Sequence, residues 1–282
     1  MKERLPAIPN PWVRVLVFFL TYVFCVVLLN TLLIALVLSG RINLQMNGPT
    51  VLKLLVLTSL ISLFLVTLFR LYVDRRSMKS LGLAPFNKDG LIGLLVSMAV
   101  LGCGSLLLFA NGNLHWLDHS FDPLSFFTGL GLMLLVAFAE EMVFRGYILN
   151  NLLQAFHSKW NALVISAVLF ALVHTSNSGI NMVAILNIFL AGLLMGLNYT
   201  YTKNLWFCIF FHFGWNFFQG PVLGYGVSGL GLPGILEIEM SGNPLLTGNT
   251  FGFEGSLIAT FLLLTAILLL YLAFEKRQTA EG

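Results

Sequence analysis

Eight apolar segments occupy most of this chain and constrain its fold more than any other feature. They cover residues 15–38, 54–73, 91–110, 124–149, 162–173, 182–199, 205–218 and 257–274. Charged residues make up only 10% of the 282 residues, whereas a soluble domain has about 25%. A membrane-spanning helix needs about 20 apolar residues, but shorter helices are tolerated where neighbours bury their ends. The sequence therefore predicts an all-α, multi-pass bundle of about eight transmembrane helices in the cell membrane, with the lipid bilayer as a partner.

The distribution of Lys and Arg predicts the orientation of the bundle. With the N-terminus in the cytoplasm and eight alternating spans, thirteen of the fifteen Lys and Arg residues, including Lys2 and Arg4, fall on the cytoplasmic side. The outer side receives only Arg41 and Lys53. The positive-inside rule predicts this asymmetry, so both termini are expected inside. The same bias accounts for the formal net charge of +3 and gives no reason to predict a nucleic-acid partner.

Two adjacent carboxylates lie inside the fourth apolar segment. They are Glu140 and Glu141, and Arg145 follows four residues later. A charged residue at the centre of a membrane helix costs at least about 2.5–3.5 kcal/mol, so such residues usually have a function. Glu141 can pair with Arg145 because residues four apart share a helix face; the alternative is that Arg145 extends to the cytoplasmic interface. Glu140 lies about 100° round the helix and is expected to face a different neighbour.

Two further polar pairs have the same helical spacing. They are Phe170 with His174, and His212 with Asn216. A carboxylate and an imidazole that face one water can take its proton, and a second imidazole with a carboxamide can donate hydrogen bonds to an oxyanion. Together with Glu140, these residues predict hydrolysis of an amide bond.

Zinc is the alternative mechanism. Glu140, His174 and His212 would provide three ligands and leave the fourth position open, as catalytic zinc sites require. The chain has no H-E-x-x-H motif, and Asn216 beside His212 suits an oxyanion donor better. The preferred interpretation therefore needs no cofactor.

A non-catalytic membrane protein is the alternative from another class. A transporter or binding protein can use the same polar cluster to bind a peptide or a proton. The sequence shows no inverted repeat and no pair of broken helices in corresponding halves, which are typical of transporters. Loss of cleavage without loss of folding in Glu140→Gln would favour the enzyme.

Other residues receive structural interpretations. Gly192 and Gly196 form a G-x-x-x-G step that permits close packing of a neighbouring helix, and Asn187 is expected to form an interhelical hydrogen bond. The region 219–254 contains nine Gly residues and is predicted to be an outer loop without regular structure. Three histidines are interpreted as ordinary surface residues: His115, His119 and His157.

The motifs resemble those of the CPBP intramembrane proteases, also called the Abi or type II CAAX prenyl endopeptidase-like family. The family's E-E-x-x-x-R motif is matched by EEMVFRGYILNNL, its F-x-x-x-H motif by FALVH and its H-x-x-x-N motif by HFGWN, in the family order. The resemblance covers about residues 124–218. It implies a catalytic cavity inside the bilayer in which Glu140 and His174 activate water. It also implies that His212 and Asn216 stabilise the oxyanion, with Glu141 and Arg145 in support.

The sequence also predicts how the chain is divided. Residues 1–89 are expected to form two transmembrane helices and a basic cytoplasmic connector at 74–89, which is either a solvated loop or a short amphipathic turn on the cytoplasmic surface. Residues 90–282 are expected to form the membrane-embedded peptidase core, with the motifs within 124–218, and the C-terminal helix. The expected partner is a membrane-associated peptide or protein substrate, and the sequence does not decide whether that substrate is prenylated.

Overall fold

The structure is a computed structural model that describes residues 5–39, 48–83 and 85–281. Lys2, Arg4 and Arg41, which enter the charge count, lie outside the described residues. The described chain is mostly helical. Its α-helices are α1 (Pro11–Leu38), α2 (Gly48–Leu68), α3 (Lys88–Ala110), α4 (Pro123–Glu141), α5 (Asn150–Ala155), α6 (Lys159–Val173), α7 (Met182–Thr202), α8 (Trp206–Phe217), α9 (Pro244–Thr247) and α10 (Leu257–Glu281).

Wider and tighter helical turns extend this framework. The π-helical segments Phe69–Val73, Met142–Leu149 and Phe218–Val222 continue α2, α4 and α8. Short 3₁₀ helices lie at Met78–Leu81, Asn249–Phe251 and Phe253–Gly255. Because α4, its π segment and α5 follow one another without a break, they form a single span at Pro123–Ala155.

Six helices of the described chain are long and apolar enough to cross a membrane, as expected of a multi-pass membrane protein. They are Pro11–Leu33, Leu52–Val73, Lys88–Ala110, Pro123–Ala155, Met182–Thr202 and Leu257–Ala280. The remaining two predicted segments also form helices, α6 and α8, which have 15 and 12 residues. The count of eight spans and the inward orientation of both termini stay predictions.

The prediction that residues 219–254 have no regular structure is wrong. Strand β2 (Leu236–Met240) lies in this region and pairs antiparallel with β1 (Leu114–His119). In β2, Glu237 and Glu239 are exposed between partly buried apolar residues, which is the alternation of a strand with one covered face. Five alternating residues within a Gly-rich stretch are a weak signal, and the partner strand lies more than 100 residues away. The all-α prediction therefore holds for the membrane helices but not for this two-stranded sheet.

Polar N-caps begin several of the helices. Asn87, Asp122 and Asn181 accept hydrogen bonds from the backbone N–H groups of Asp89, Ser125 and Ala184 at the starts of α3, α4 and α7. Each cap satisfies a donor that the first helical turn leaves without an intrahelical partner. These caps define where the apolar helices begin.

Small residues bring the helices of the core together. A methyl group on Gly192 would lie 3.1 Å from Ala167 Cβ, and one on Gly196 would lie 2.5 Å from Leu163. The G-x-x-x-G step of α7 therefore packs against α6, which confirms the prediction. Asn187 confirms its prediction too, since its amide donates to the Glu254 and Ser256 carbonyls and its oxygen accepts from Thr260.

A buried ion cluster ties α1 to the core. Asp74, fully buried, accepts from Arg14 at 3.2 Å, Arg70 at 2.6 Å, Tyr147 at 3.1 Å and Asn151 at 3.2 Å. The connector, which the sequence predicts to be a solvated loop or a surface turn, therefore begins with a residue that is not solvated. Two cations that converge on one carboxylate offset part of the desolvation cost, which explains how the cluster is buried.

Candidate active site

The polar motif residues lie on three elements that meet in the core. Glu140 and Glu141 end α4, immediately before the π segment Met142–Leu149. His174 is the C-cap of α6, and His212 and Asn216 lie on α8. π-helical turns are uncommon in proteins, but many of those that occur lie at functional sites. Here Arg145 lies in the π segment, and its guanidinium is next to the Glu141 carboxylate.

Glu140 faces both histidines. Its Oε2 atom lies 3.7 Å from His174 Nε2 and 3.9 Å from His212 Nε2. These distances are too long for direct hydrogen bonds. Oε2 is buried and has no hydrogen-bond partner in the part of the chain that the structure describes. A buried, unpaired acceptor of this kind calls for a bound water or a reacting group.

The tautomers of the two histidines follow from their other ring nitrogens. His174 Nδ1 lies 2.8 Å from the Phe170 carbonyl oxygen, and His212 Nδ1 lies 2.9 Å from Glu141 Oε1. Both partners are acceptors, so each Nδ1 carries the proton. In neutral His174 and His212, therefore, the lone pair of Nε2 points toward Glu140.

Glu141 has a different environment from Glu140. Glu141 Oε1 accepts from Arg145 at 2.6 Å as well as from His212, and Glu141 is fully buried. Arg145 also donates to the Gly192 carbonyl at 3.3 Å and lies 4.3 Å above the Phe170 ring centroid. The predicted Glu141–Arg145 pair is present. The bond from His212 to Glu141 was not predicted, because 71 residues separate the two.

A cavity of about 630 Å³ opens beside these groups. Glu140, His174, His212 and Asn216 line its polar end. Apolar side chains of α1, α2 and α4 line much of the rest: Phe19, Val23, Val26, Leu54, Leu55 and Val136. The predicted catalytic residues thus share one cavity that has the size of a small-ligand site.

Comparison with known proteins finds a family that is similar to part of this chain. Residues 122–218 match the model of the type II CAAX prenyl endopeptidase Rce1-like family. We call this matched segment the Rce1-like domain. The family is one of integral membrane proteases. The curated proteins and the solved structures gave no match.

The Rce1-like domain contains all six predicted site residues but only part of the cavity wall. The apolar side chains from α1 and α2 precede it in the chain. No function was predicted for these two helices, because runs of apolar residues do not indicate which face meets a cavity. Their role as walls becomes visible only in three dimensions.

Glu254, which also lies outside the Rce1-like domain, was missed by sequence reasoning. This buried carboxylate lines a second, inner cavity of about 30 Å³ together with His174, His212 and Asn216. Burial raises the pKa of the Glu254 carboxyl, while a hydrogen bond from Ser228 and the nearby His174 lower it in part. The available signal was one acidic residue in a Gly-rich stretch, which gives no indication of burial.

The structure also describes the predicted surface histidines and the residues of the zinc alternative. His115, His119 and His157 are exposed, as predicted. Within the described ranges, no group of three or more His, Cys, Asp or Glu side chains is arranged to hold a metal ion. The zinc alternative at Glu140, His174 and His212 stays a prediction.

Proposed function

We propose that this protein is an intramembrane endopeptidase that hydrolyses a peptide bond with water activated by Glu140 and His174. The observation that carries the proposal is the unpaired Oε2 of Glu140, buried between two histidine Nε2 atoms at the edge of a large cavity. The Rce1-like match supports peptidase chemistry. The substrate is a membrane-associated peptide or protein.

Two acceptors facing one water support the activation step. Glu140 Oε2 and the lone pair of His174 Nε2 lie 3.7 Å apart, so a water beside both can donate one hydrogen to each. Its oxygen lone pair is then free to attack the substrate carbonyl carbon. As the C–O bond forms, one proton passes from the water to Glu140, and the carbonyl π electrons move to oxygen. General-base catalysis of this kind contributes about 10²–10⁴-fold to rate.

Oxyanion stabilisation requires a donor on His212 Nε2. Because Nδ1 already donates to Glu141, Nε2 carries a hydrogen only when the ring is a cation. The Glu141 carboxylate stabilises that cation, and the ion pair with Arg145 holds the Glu141 side chain in place. The Asn216 amide lies on the same face of α8 and donates the second hydrogen bond. Such donors are typically worth about 10²–10³-fold in kcat.

Collapse of the intermediate returns the proton. The oxyanion electrons re-form the carbonyl, the C–N bond breaks, and Glu140–H donates its proton to the leaving nitrogen. The products are a carboxylic acid and an amine. This step needs no cofactor.

The test is peptide hydrolysis by detergent-purified protein. Substrates comprise fluorogenic soluble peptides, prenylated C-terminal peptides and peptides from transmembrane segments. Glu140→Gln and His174→Ala are compared with wild type and with His115→Ala, which changes an exposed histidine. We expect a loss of at least about 10²-fold in the first two variants and none in the third.

Other outcomes would contradict the proposal. Full activity in Glu140→Gln would remove the carboxylate from the mechanism. Loss of activity with a strong chelator, restored by Zn²⁺, would establish a metalloprotease instead. Binding of all three substrate classes without cleavage would identify a non-catalytic binding protein.

A further inference from the structure

A tight turn forms part of the cavity wall next to the proposed catalytic residues. Val227, Ser228 and Leu230 line the 630 Å³ cavity, and Ser228 also lines the inner one. The Val227 N–H donates to the Leu230 carbonyl at 2.9 Å, and the Leu230 N–H donates to the Val227 carbonyl at 2.8 Å. We call residues 227–230 the wall turn. It lies after the Rce1-like match, which ends at residue 218.

Glu254 holds the wall turn from behind. One carboxylate oxygen accepts from the Ser228 backbone N–H, and the other accepts from Trp215 Nε1 at 3.3 Å. Trp215 immediately precedes Asn216 on α8. A single buried carboxylate therefore joins the wall turn to the helix that carries the proposed oxyanion donors.

Further contacts fix the same turn. The backbone N–H of Gly229 donates to the Phe251 carbonyl at 3.3 Å. Gly229 has a φ of +83°, and a methyl group on it would lie 1.9 Å from the Ser178 backbone oxygen. Ser228 also has a positive φ, +49°, which is uncommon for a residue with a side chain. The turn is thus fixed in one conformation, pressed against the segment that follows His174.

A carboxylate at this position is unexpected if its task is only to fill space. Glu254 is 6% exposed, and moving a carboxylate from water into a protein interior costs several kcal/mol unless donors compensate. An apolar residue of similar size would fill the volume without that cost. The carboxylate gains what an apolar side chain cannot provide, which is a directional bond to the Ser228 N–H.

We propose that the wall turn contacts the substrate side chains beside the scissile bond and sets specificity for them, and that Glu254 is the positioning residue that fixes the turn. This inference rests on the proposed function. Leu230 and Val227 present apolar surface to the cavity, so the side chain they accept is apolar. Enlarging Leu230 should reduce the space for it, and shortening Leu230 should increase that space.

The first experiment measures specificity. Leu230→Ala and Leu230→Trp are assayed on peptides that vary the residue on each side of the cleaved bond from Ala to Phe. We expect Leu230→Ala to shift kcat/KM toward the larger side chain and Leu230→Trp toward the smaller, each by about 10-fold, as for one or two methylene groups in an apolar pocket. Identical profiles in wild type and both variants would overturn the assignment of the wall turn.

The second experiment tests Glu254. Glu254→Ala removes the acceptor, whereas the Glu254→Gln oxygen can still accept from Ser228. We expect Glu254→Ala to raise KM by about 10-fold, as for the loss of a buried charged acceptor, and to broaden the substrate profile. Glu254→Gln should restore part of both, because it keeps the acceptor for Ser228 while its NH₂ group faces Trp215 Nε1. Glu237→Gln, an exposed change on β2, should have no effect.

A purely structural role for Glu254 gives a different pattern. The folded fraction or the unfolding temperature would fall, while KM and the substrate profile of the folded protein would stay at wild-type values, and this would overturn the inference. If Glu254→Ala does not fold, Glu254→Gln and the Leu230 variants provide the test. Equal cleavage by wild type and Glu140→Gln would refute the proposed function instead, so the two failures are distinguishable.

Discussion

Replacement of Asp74 by Asn should strongly destabilise the protein. Each carboxylate oxygen of Asp74 receives one guanidinium, Oδ1 from Arg14 at 3.2 Å and Oδ2 from Arg70 at 2.6 Å. Asn has only one acceptor oxygen, so its NH₂ group must face one of the two arginines in either orientation. Both arginines are at most 2% exposed, and the variant leaves them without a counter-charge.

The magnitude follows from these contacts. Breaking a buried ion pair by removing one partner costs about 3–5 kcal/mol. For a protein of this size, each 1 kcal/mol lowers the midpoint of thermal unfolding by about 2–4 °C. The expected decrease is therefore about 6–20 °C, measured in detergent micelles by tryptophan fluorescence. Asp118→Asn, at a position 76% exposed, is the control and should have the same unfolding midpoint as wild type.

A milder variant tests the same cluster if Asp74→Asn cannot be purified. Tyr147→Phe removes only the hydroxyl that donates to Asp74 Oδ1 at 3.1 Å and keeps the ring that packs on Phe18 at 4.2 Å between centroids. A hydrogen bond to a charged group contributes about 1.5–3 kcal/mol, so a smaller decrease is expected. An unfolding midpoint within about 2 °C of wild type for Asp74→Asn, well below the shift calculated above, would refute the reasoning.

Three further variants test the site and the packing around it. Glu141→Gln should lower kcat by about 10²-fold with little change in KM, because it removes the charge that stabilises His212 as a cation. The change also leaves buried Arg145 without this counter-charge, so steady-state kinetics is measured on the folded fraction, and an unchanged kcat would contradict the prediction. Gly93→Ala should destabilise by about 1–3 kcal/mol, since its methyl group would lie 2.3 Å from the Phe207 carbonyl oxygen between α3 and α8; thermal unfolding checks it against Gly102→Ala, where nothing lies within 4 Å. Asn187→Ala leaves the Glu254 and Ser256 carbonyls without its amide and should cost about 1–3 kcal/mol; a midpoint equal to that of wild type would show that the carbonyls find other donors.

Local features of this protein were predictable from sequence because they depend on helical spacing. The Glu141–Arg145 pair is an i, i+4 contact, and Gly192 and Gly196 define a packing face without knowledge of the partner helix. The apolar segments likewise located the helices. Each of these signals lies within one segment of the chain.

Contacts between distant segments were not predictable in the same way. The His212–Glu141 bond, the anchoring of Ser228 by Glu254 and the burial of Asp74 each join residues from separate elements, and no local pattern indicates the pairing. Asp74 and Glu254 also lie in polar or Gly-rich stretches, where composition favours a solvated loop. Only the packed structure shows that both are covered.

The residues that line the large cavity come from two different parts of the chain. The groups proposed to carry out the reaction lie within residues 122–218, whereas α1, α2 and the wall turn, which line other parts of the cavity, lie before and after that segment. Changes in these flanking parts can therefore alter which substrates enter without touching the reacting groups. A chimera that exchanges α1 and α2 for those of another protein with the same domain would inherit the chemistry from one parent and much of the substrate range from the other.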